Sequence, residues 1–339
     1  MLPKLFIGPM SKNIVDTTIE LATQGWNLGF IPSRRQIDNS RGYVNNWNTK
    51  EFTNYVRERT DKILIQRDHG GPSQGQANDD GLESLQDDAR NNLDLIHVDP
   101  WKKFEDIDSA VLVTTLSINA CCESSDNNCK FEVGTEQAIR EYSPSELGVF
   151  LNKLKKDLGE RFNRIKFAVI QSGVGLSGTT NTGVFNEKRC EEMISVCKDF
   201  GLLSKEHNGD YLKGDLIRRR FELGLDAINI APEAGVEETR CTLHKIEEEE
   251  RVDLFERLFK ACYLSRFWLK WLPDGFSPRD LHEKRLLVEV CGHYIFNTDK
   301  FRDVTKELSG LQELIKLRLS NKIKELHESC SVLDRDGGR

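Results

Sequence analysis

Ile63-Leu-Ile-Gln-Arg-Asp68-His69 is a short apolar run that ends in two residues able to hold a metal or move a proton. The pattern recurs along the chain. Leu95-Ile-His-Val-Asp99, Phe131-Glu132-Val-Gly-Thr-Glu136, Ala168-Val-Ile-Gln171 and Leu203-Ser-Lys-Glu-His207 each begin apolar and end in a polar, chemically capable residue. With further apolar runs at 5–10, 27–33 and 225–230, the segments 63–69, 93–99, 129–134, 165–171 and 202–207 make a set of eight. Continuous apolar runs of this length suit strands buried on both faces, as in a parallel sheet.

Helical patterns fill the spaces between them. Ser11 precedes Ile14, Val15, Thr18, Leu21 and Ala22 at helical spacing, and Gly25 closes that segment. Thr49 is the expected cap of a short helix that turns Phe52, Tyr55 and Val56 inward. Ser143 and Ser145 open a strongly amphipathic stretch with Leu147, Phe150, Leu151, Leu154 and Leu158 on one face. Further helices are expected around 106–120, 187–200 and 212–223. Alternating strands and helices predict a parallel sheet, and eight rounds predict closure into a (β/α)8 TIM barrel. The expected division is a barrel over residues 1–250 and a C-terminal helical extension over 251–330, packed on the barrel and containing the eighth helix. The carboxyl ends of barrel strands share one mouth, where active sites of this architecture sit. Polar residues at those ends therefore converge although they are far apart in sequence.

Composition narrows the partners. The net charge of −7 disfavours a nucleic-acid backbone, which needs a basic stripe. No run approaches the ~20 apolar residues of a membrane span, and Met-Leu-Pro-Lys-Leu-Phe-Ile-Gly is too short for a secretory leader. Nine cysteines without framework spacing point to free thiols in a reducing, cytoplasmic setting. Cys121, Cys122 and Cys129 form the one cluster, and it lacks a paired Cys-x-x-Cys. The long polar loops 70–81 and 172–183 follow strands three and six, where lids and binding loops are common.

The candidate site is built from strand ends. His69 and His207, with Gln171, offer imidazole and amide ligands for a divalent ion; zinc comes first, with manganese, cobalt and magnesium also suited. Asp68 stands beside a metal ligand and can shuttle a proton, while Asp99 and Glu132 are further acid–base groups. His97 shares a strand face with Asp99 but is expected one layer deeper, in the barrel interior or just behind the metal ligands. Arg34-Arg35-Gln36 after strand two can clamp an anionic or polyhydroxylated substrate. Arg35, Gln36, Arg67, Glu136 and Gly173 are expected substrate contacts.

The segments Ser33-Arg-Arg-Gln36, Gly42-Tyr43, Phe52, Asp68-His69-Gly-Gly-Pro72 and Ile96-His97-Val98-Asp99 resemble the tagatose-1,6-bisphosphate aldolase accessory-subunit family. Val133-Gly134-Thr135-Glu136, Val169-Ile-Gln171-Ser-Gly173-Val174, Glu206-His207-Asn-Gly-Asp210-Tyr211 and Ile230-Ala-Pro232 continue the likeness in order, over residues 10–240. Through that family the chain is similar to class II, metal-dependent aldolases. The resemblance implies a proton-shuttling Asp68, metal ligands at His69 and His207, a strand-five acid at Glu132 and substrate contacts at Asn229 and Asp210, the latter accepting from sugar hydroxyls. Gln171 replaces the third metal histidine of those aldolases. Asn208-Gly209-Asp210 replaces their phosphate-binding turn, and a carboxylate there repels a phosphate by roughly a few kcal/mol in a partly shielded site. The implied function is reversible aldol cleavage of a sugar or sugar phosphate, or C4 epimerisation by the same retro-aldol step. The alternative is a non-catalytic accessory subunit that stabilises a separate aldolase chain. Expected partners are a carbohydrate substrate and a second copy of the chain in a homodimer, with an aldolase subunit as the other candidate.

Overall fold

Eight parallel strands close on themselves in the computed structural model, which describes residues 2–125, 129–135 and 140–331. The barrel strands are β1 (Leu5–Ile7), β2 (Leu28–Phe30), β3 (Leu64–Gly70), β4 (Leu95–Val98), β5 (Lys130–Gly134) and β6 (Ile165–Ile170). A two-stranded hairpin, β7 (Leu176–Ser177) with β8 (Thr180–Asn181), interrupts the series before β9 (Leu203–Glu206) and β10 (Ala227–Ile230). β1 pairs with both β2 and β10, which completes the ring of a (β/α)8 barrel.

The helices that wrap it are α1 (Lys12–Thr23), α2 (Thr49–Arg57), α3 (Leu82–Arg90), α4 (Ile107–Ser124), α5 (Pro144–Leu158), α6 (Glu187–Asp199), α7 (Gly214–Glu222) and α8 (Pro232–Glu248). Their starts follow from capping chemistry. Ser11 accepts from Ile14 N at 3.1 Å. Ser143 and Glu146 form a reciprocal capping box, with Pro144 in the first turn of α5. The cap of α2 is Asn48 rather than Thr49: Asn48 Oδ1 accepts from Glu51 N, and the Glu51 carboxylate reaches back to Asn48 N. The amide can serve one position earlier than the hydroxyl, and the glutamate three residues on selects it.

Two elements had no counterpart in the sequence reading. Helix α3 fills residues that the sequence left without an element, and the hairpin occupies part of the polar loop after β6. The strands are also shorter than their apolar runs. Pro9 and Pro32 lie beyond β1 and β2 and have no N–H for the ladder. The eighth barrel helix is α8, which begins at Pro232 directly after β10, earlier than the sequence reading placed it.

After α8 come α9 (Val252–Ser265), α10 (Leu281–Ile295), α11 (Asp299–Thr305) and α12 (Leu311–Ser329). α10 packs on α8 and α9, while α12 lies against α1, α7 and α8. Within the barrel, Phe6, Ile31, Leu95, Phe167 and Ala227 form a separate apolar plug. Phe6 and Phe167 meet edge to face at 6.1 Å. No helix among the described residues is long and apolar enough to cross a membrane.

Candidate metal centre at the barrel mouth

Strand β3 does not run straight to its end. Its register with β4 shifts between Arg67 and Gly70, and His69 takes a left-handed backbone with φ 46°. Such a conformation is costly for a residue with a side chain and persists where its surroundings enforce it. The two glycines that follow supply that enforcement. A Cβ on Gly70 would lie 2.8 Å from the His97 carbonyl oxygen, and one on Gly71, at φ 137°, would lie 2.7 Å from that of Asp99. Only bare backbone lets the end of β3 press against the end of β4.

The bend brings three imidazoles together. One nitrogen each of His69, His97 and His207 lies within 4.8 Å of the other two. The ring centroids are 5.3 Å apart for His69 and His97, 5.0 Å for His69 and His207, and 4.9 Å for His97 and His207. Two carboxylates stand behind the rings. His69 Nδ1 donates to Asp99 Oδ2 at 2.7 Å, and His207 Nε2 donates to Glu132 Oε1 at 2.8 Å. The other nitrogen of each, His69 Nε2 and His207 Nδ1, faces Asp68 at 3.8 Å. Carboxylates that orient the outer nitrogens of histidines and raise their basicity are the usual support of a metal site.

The electrostatics agree with that geometry. Burial pushes the His97 pKa down to about 4, and the neighbouring histidines act in the same direction, so the ring stays neutral. Burial opposes the charge on Glu132, but Lys205 and His207 outweigh it and hold the carboxyl well below its usual range. Asp99 is likewise held low against burial, chiefly by its bond to His69. Three neutral-capable imidazoles, two ionised acids behind them and a third carboxylate in front form a donor set that fits a divalent cation.

The other expected residues divide into two groups. Arg35, Gln36, Asp68 and His69 line one cavity at the mouth, together with Lys270 and Trp271 from beyond α9. Asn229 sits beside them: its Nδ2 donates to Asp68 Oδ1 at 3.2 Å, and its buried Oδ1 has no hydrogen-bond partner among the described residues.

Arg67 belongs elsewhere. It is fully buried and forked onto Asp88 at 2.6 and 2.7 Å, with Pro32 and Ile37 carbonyls completing its bonds. It locks β3 to α3, and its side chain alternates away from that of Asp68. Asp210 is also turned aside, because its Oδ1 accepts from Ala231 N and Glu233 N and caps the start of α8. Burial, reinforced by Glu233, raises its pKa to about 8. Gln171 lies outside the histidine cluster: its amide accepts from Tyr142 N at 2.9 Å and donates to the Arg140 carbonyl at 3.3 Å. Gly173 has φ 101°, and a Cβ there would come within 1.9 Å of the Val184 carbonyl, so the loop after β6 requires glycine at that point. Glu136 lies outside the described residues.

Four residues at the mouth lay outside the expected ligand and contact sets. His97 was expected below Asp99 by strand alternation; it is buried, and the bend at His69 brings the two rings together. In the bent strand, His69 N donates to His97 Nδ1 at 3.3 Å. Lys205 was not considered, although it stands two residues before His207 and so shares its strand face. It is fully buried, 3.2 Å from Glu132 Oε2 and 2.6 Å from Gln66 Oε1. Lys270 and Trp271 carried no signal, since nothing in the sequence folds the extension back onto the mouth.

No protein-family model matches this chain, and no curated protein does. Solved structures do. A probable tagatose 6 phosphate kinase from Sinorhizobium meliloti 1021 superposes with a TM-score of 0.79 at 15% identity, covering 97% of this chain and 100% of that one. The fructuronate-tagaturonate epimerase UxaE from Cohnella laeviribosi gives 0.63 at 10% identity, with 96% and 81% coverage. The YdjI aldolase from Escherichia coli K12 gives 0.56 at 12%, with 96% and 91% coverage. At these identities the likeness is one of fold: the chain is built as a (β/α)8 barrel like proteins named as aldolases and a sugar-acid epimerase.

Proposed function

We propose that this protein is a metal-dependent enzyme of the class II aldolase type, cleaving or epimerising a sugar derivative by a reversible aldol step. One observation carries the reading. Three histidines from β3, β4 and the end of β9 gather at the carboxyl end of the barrel, two of them held by Asp99 and Glu132, with Asp68 in front. His69, His97 and His207 would hold the cation, and zinc suits three imidazoles best. When bound, such an ion supplies positive charge that draws electrons toward a substrate carbonyl.

The chain's own residues would do the rest. Asp68 takes the proton from the hydroxyl whose carbon–carbon bond breaks, and returns it when the bond re-forms. Asn229 holds Asp68 through its Nδ2 and offers its Oδ1 to a substrate hydroxyl. Re-formation on the same face of the carbonyl restores the substrate, and on the opposite face inverts one centre. Asp99 and Glu132 keep the rings of His69 and His207 in orientation throughout.

The accessory-subunit alternative rests on the family likeness and, in smaller part, on Gln171 standing in place of a third histidine. A third imidazole close by, that of His97, weakens the second ground. The test is the metal content of the freshly purified protein beside that of His69→Ala, His97→Ala and His207→Ala. About one equivalent of metal per chain in the wild type and a loss in each variant is expected. Aldol assays with ketoses and ketose phosphates then read the reaction, and full metal retention in the three variants ends the proposal.

A further inference from the structure

The C-terminal extension reaches the mouth, and what it brings is positive. Lys270 and Trp271 line the same cavity as Arg35, Asp68 and His69. The Lys270 ammonium stands 4.4 Å from the centre of the Trp271 ring. Lys102, three residues after Asp99, is close enough to Arg35 and Lys270 that the cations disfavour one another. Among the described residues, Arg35 and Lys270 form no ion pair with any carboxylate, and Lys102 donates a hydrogen bond to the Ser73 carbonyl. Asp68 is the one acid lining the cavity, and its bond from Asn229 and its place before His69 and His207 occupy it.

Three cations gathered around a cavity with a single lining carboxylate among the described residues run against the protein's acidic balance of −7. Lys270 keeps a face to solvent, yet crowding by the surrounding protein and then by Arg35 and Lys102 pushes its pKa down to about 8. The opposing acid that the sequence suggested is absent from this region, because Asp210 is turned into the cap of α8.

We infer that Arg35 and Lys270, with Lys102 behind them, form a binding site for an anionic group, phosphate or carboxylate, on the sugar that enters the mouth. This deepens the function proposed above and rests on it for the sugar. The site lies between the loop after β2 and the C-terminal extension, so the extension acts in substrate recognition as well as packing. A planar guanidinium and a mobile ammonium suit either oxyanion.

The experiment is calorimetric titration of the full chain with inorganic phosphate, with D-galacturonate and with neutral D-galactose, at constant ionic strength. It is run on the metal-free and the zinc-loaded protein. One or both anions are expected to bind at least tenfold more tightly than galactose. Arg35→Ala and Lys270→Ala should each weaken that binding about ten- to hundredfold, the range for a hydrogen bond to a charged group. Lys270→Arg should retain most of it. Both side chains are exposed, and thermal melting confirms that the variants fold. Preference for phosphate assigns a phosphorylated sugar, and preference for galacturonate assigns a sugar acid. Anions that bind no better than galactose, or alanine variants that bind them undiminished, overturn the inference. Anion binding to the metal-free chain is read separately from metal content, so failure here is distinct from failure of the metal centre.

Discussion

His69 and Asp99 meet across the ends of adjacent strands, with Nδ1 donating to Oδ2 at 2.7 Å, while Asp99 also accepts from Gln74 Nε2 at 2.7 Å and Trp101 N at 3.1 Å. The carboxylate is thus fixed from three sides and in turn fixes the ring. Asp99→Asn keeps the shape but removes the charge. Metal affinity should fall about 10- to 100-fold, measured by competition with a chromophoric chelator. Unchanged affinity would show that the ring is oriented by its bent backbone alone.

Gly71 tests that backbone directly. Gly71→Ala places a methyl group against the Asp99 carbonyl at a φ that side chains rarely adopt. A loss of about 1–3 kcal/mol in stability is expected, together with weaker metal binding. Urea unfolding and the chelator competition read the two effects.

Arg67→Met should damage the fold and not the chemistry. It leaves Asp88 ionisable and unpaired in the interior, and breaking such a buried pair costs about 3–5 kcal/mol. Chemical denaturation gives the magnitude. A stable variant with weakened sugar binding would instead restore Arg67 to the substrate contacts.

Glu238 gives the protein a pH-dependent stability unrelated to the site. It lies buried on α8, where it accepts from Ser11 and from Asn13 Nδ2 at 2.7 Å. Burial raises its pKa from 4.5 to about 7, although both hydrogen bonds oppose the rise. The folded state therefore holds the proton more tightly than the unfolded chain. Its contribution is fully present below pH 4.5 and is lost as pH rises through about 7, an order of 3 kcal/mol in all. Unfolding midpoints from pH 4 to 8 should fall more steeply for the wild type than for Glu238→Gln, and parallel curves would refute the assignment.

The barrel was legible because each buried strand leaves a continuous apolar run, and eight such runs have few other solutions. The ends of β3, β4, β5 and β9 could be read as one mouth for the same reason, so His69, His207, Asp68, Asp99 and Glu132 were expected together, and the structure brings them together. The meeting of the His69 and His97 rings was not legible, because it depends on the left-handed turn at His69, which no residue type announces. Arg67 and Asp210 were taken for substrate contacts because sequence places them beside the site without saying which way they point. Strand alternation sends Arg67 to α3, and the start of α8 claims Asp210. Lys270 could not be found at all, since it comes from a segment that returns to the mouth only through tertiary packing.

The ammonium of Lys205, enclosed on the barrel axis against the Phe6 ring at 3.4 Å, gives Glu132 a second duty. One oxygen of that acid serves His207, and the other neutralises a cation with no route to water. Replacing Glu132 alone would strand that cation, so an inactive Glu132 variant reports on collapse of the interior as much as on lost catalysis. The pair should be exchanged together, as Glu132→Gln with Lys205→Met, before either is given a role in turnover.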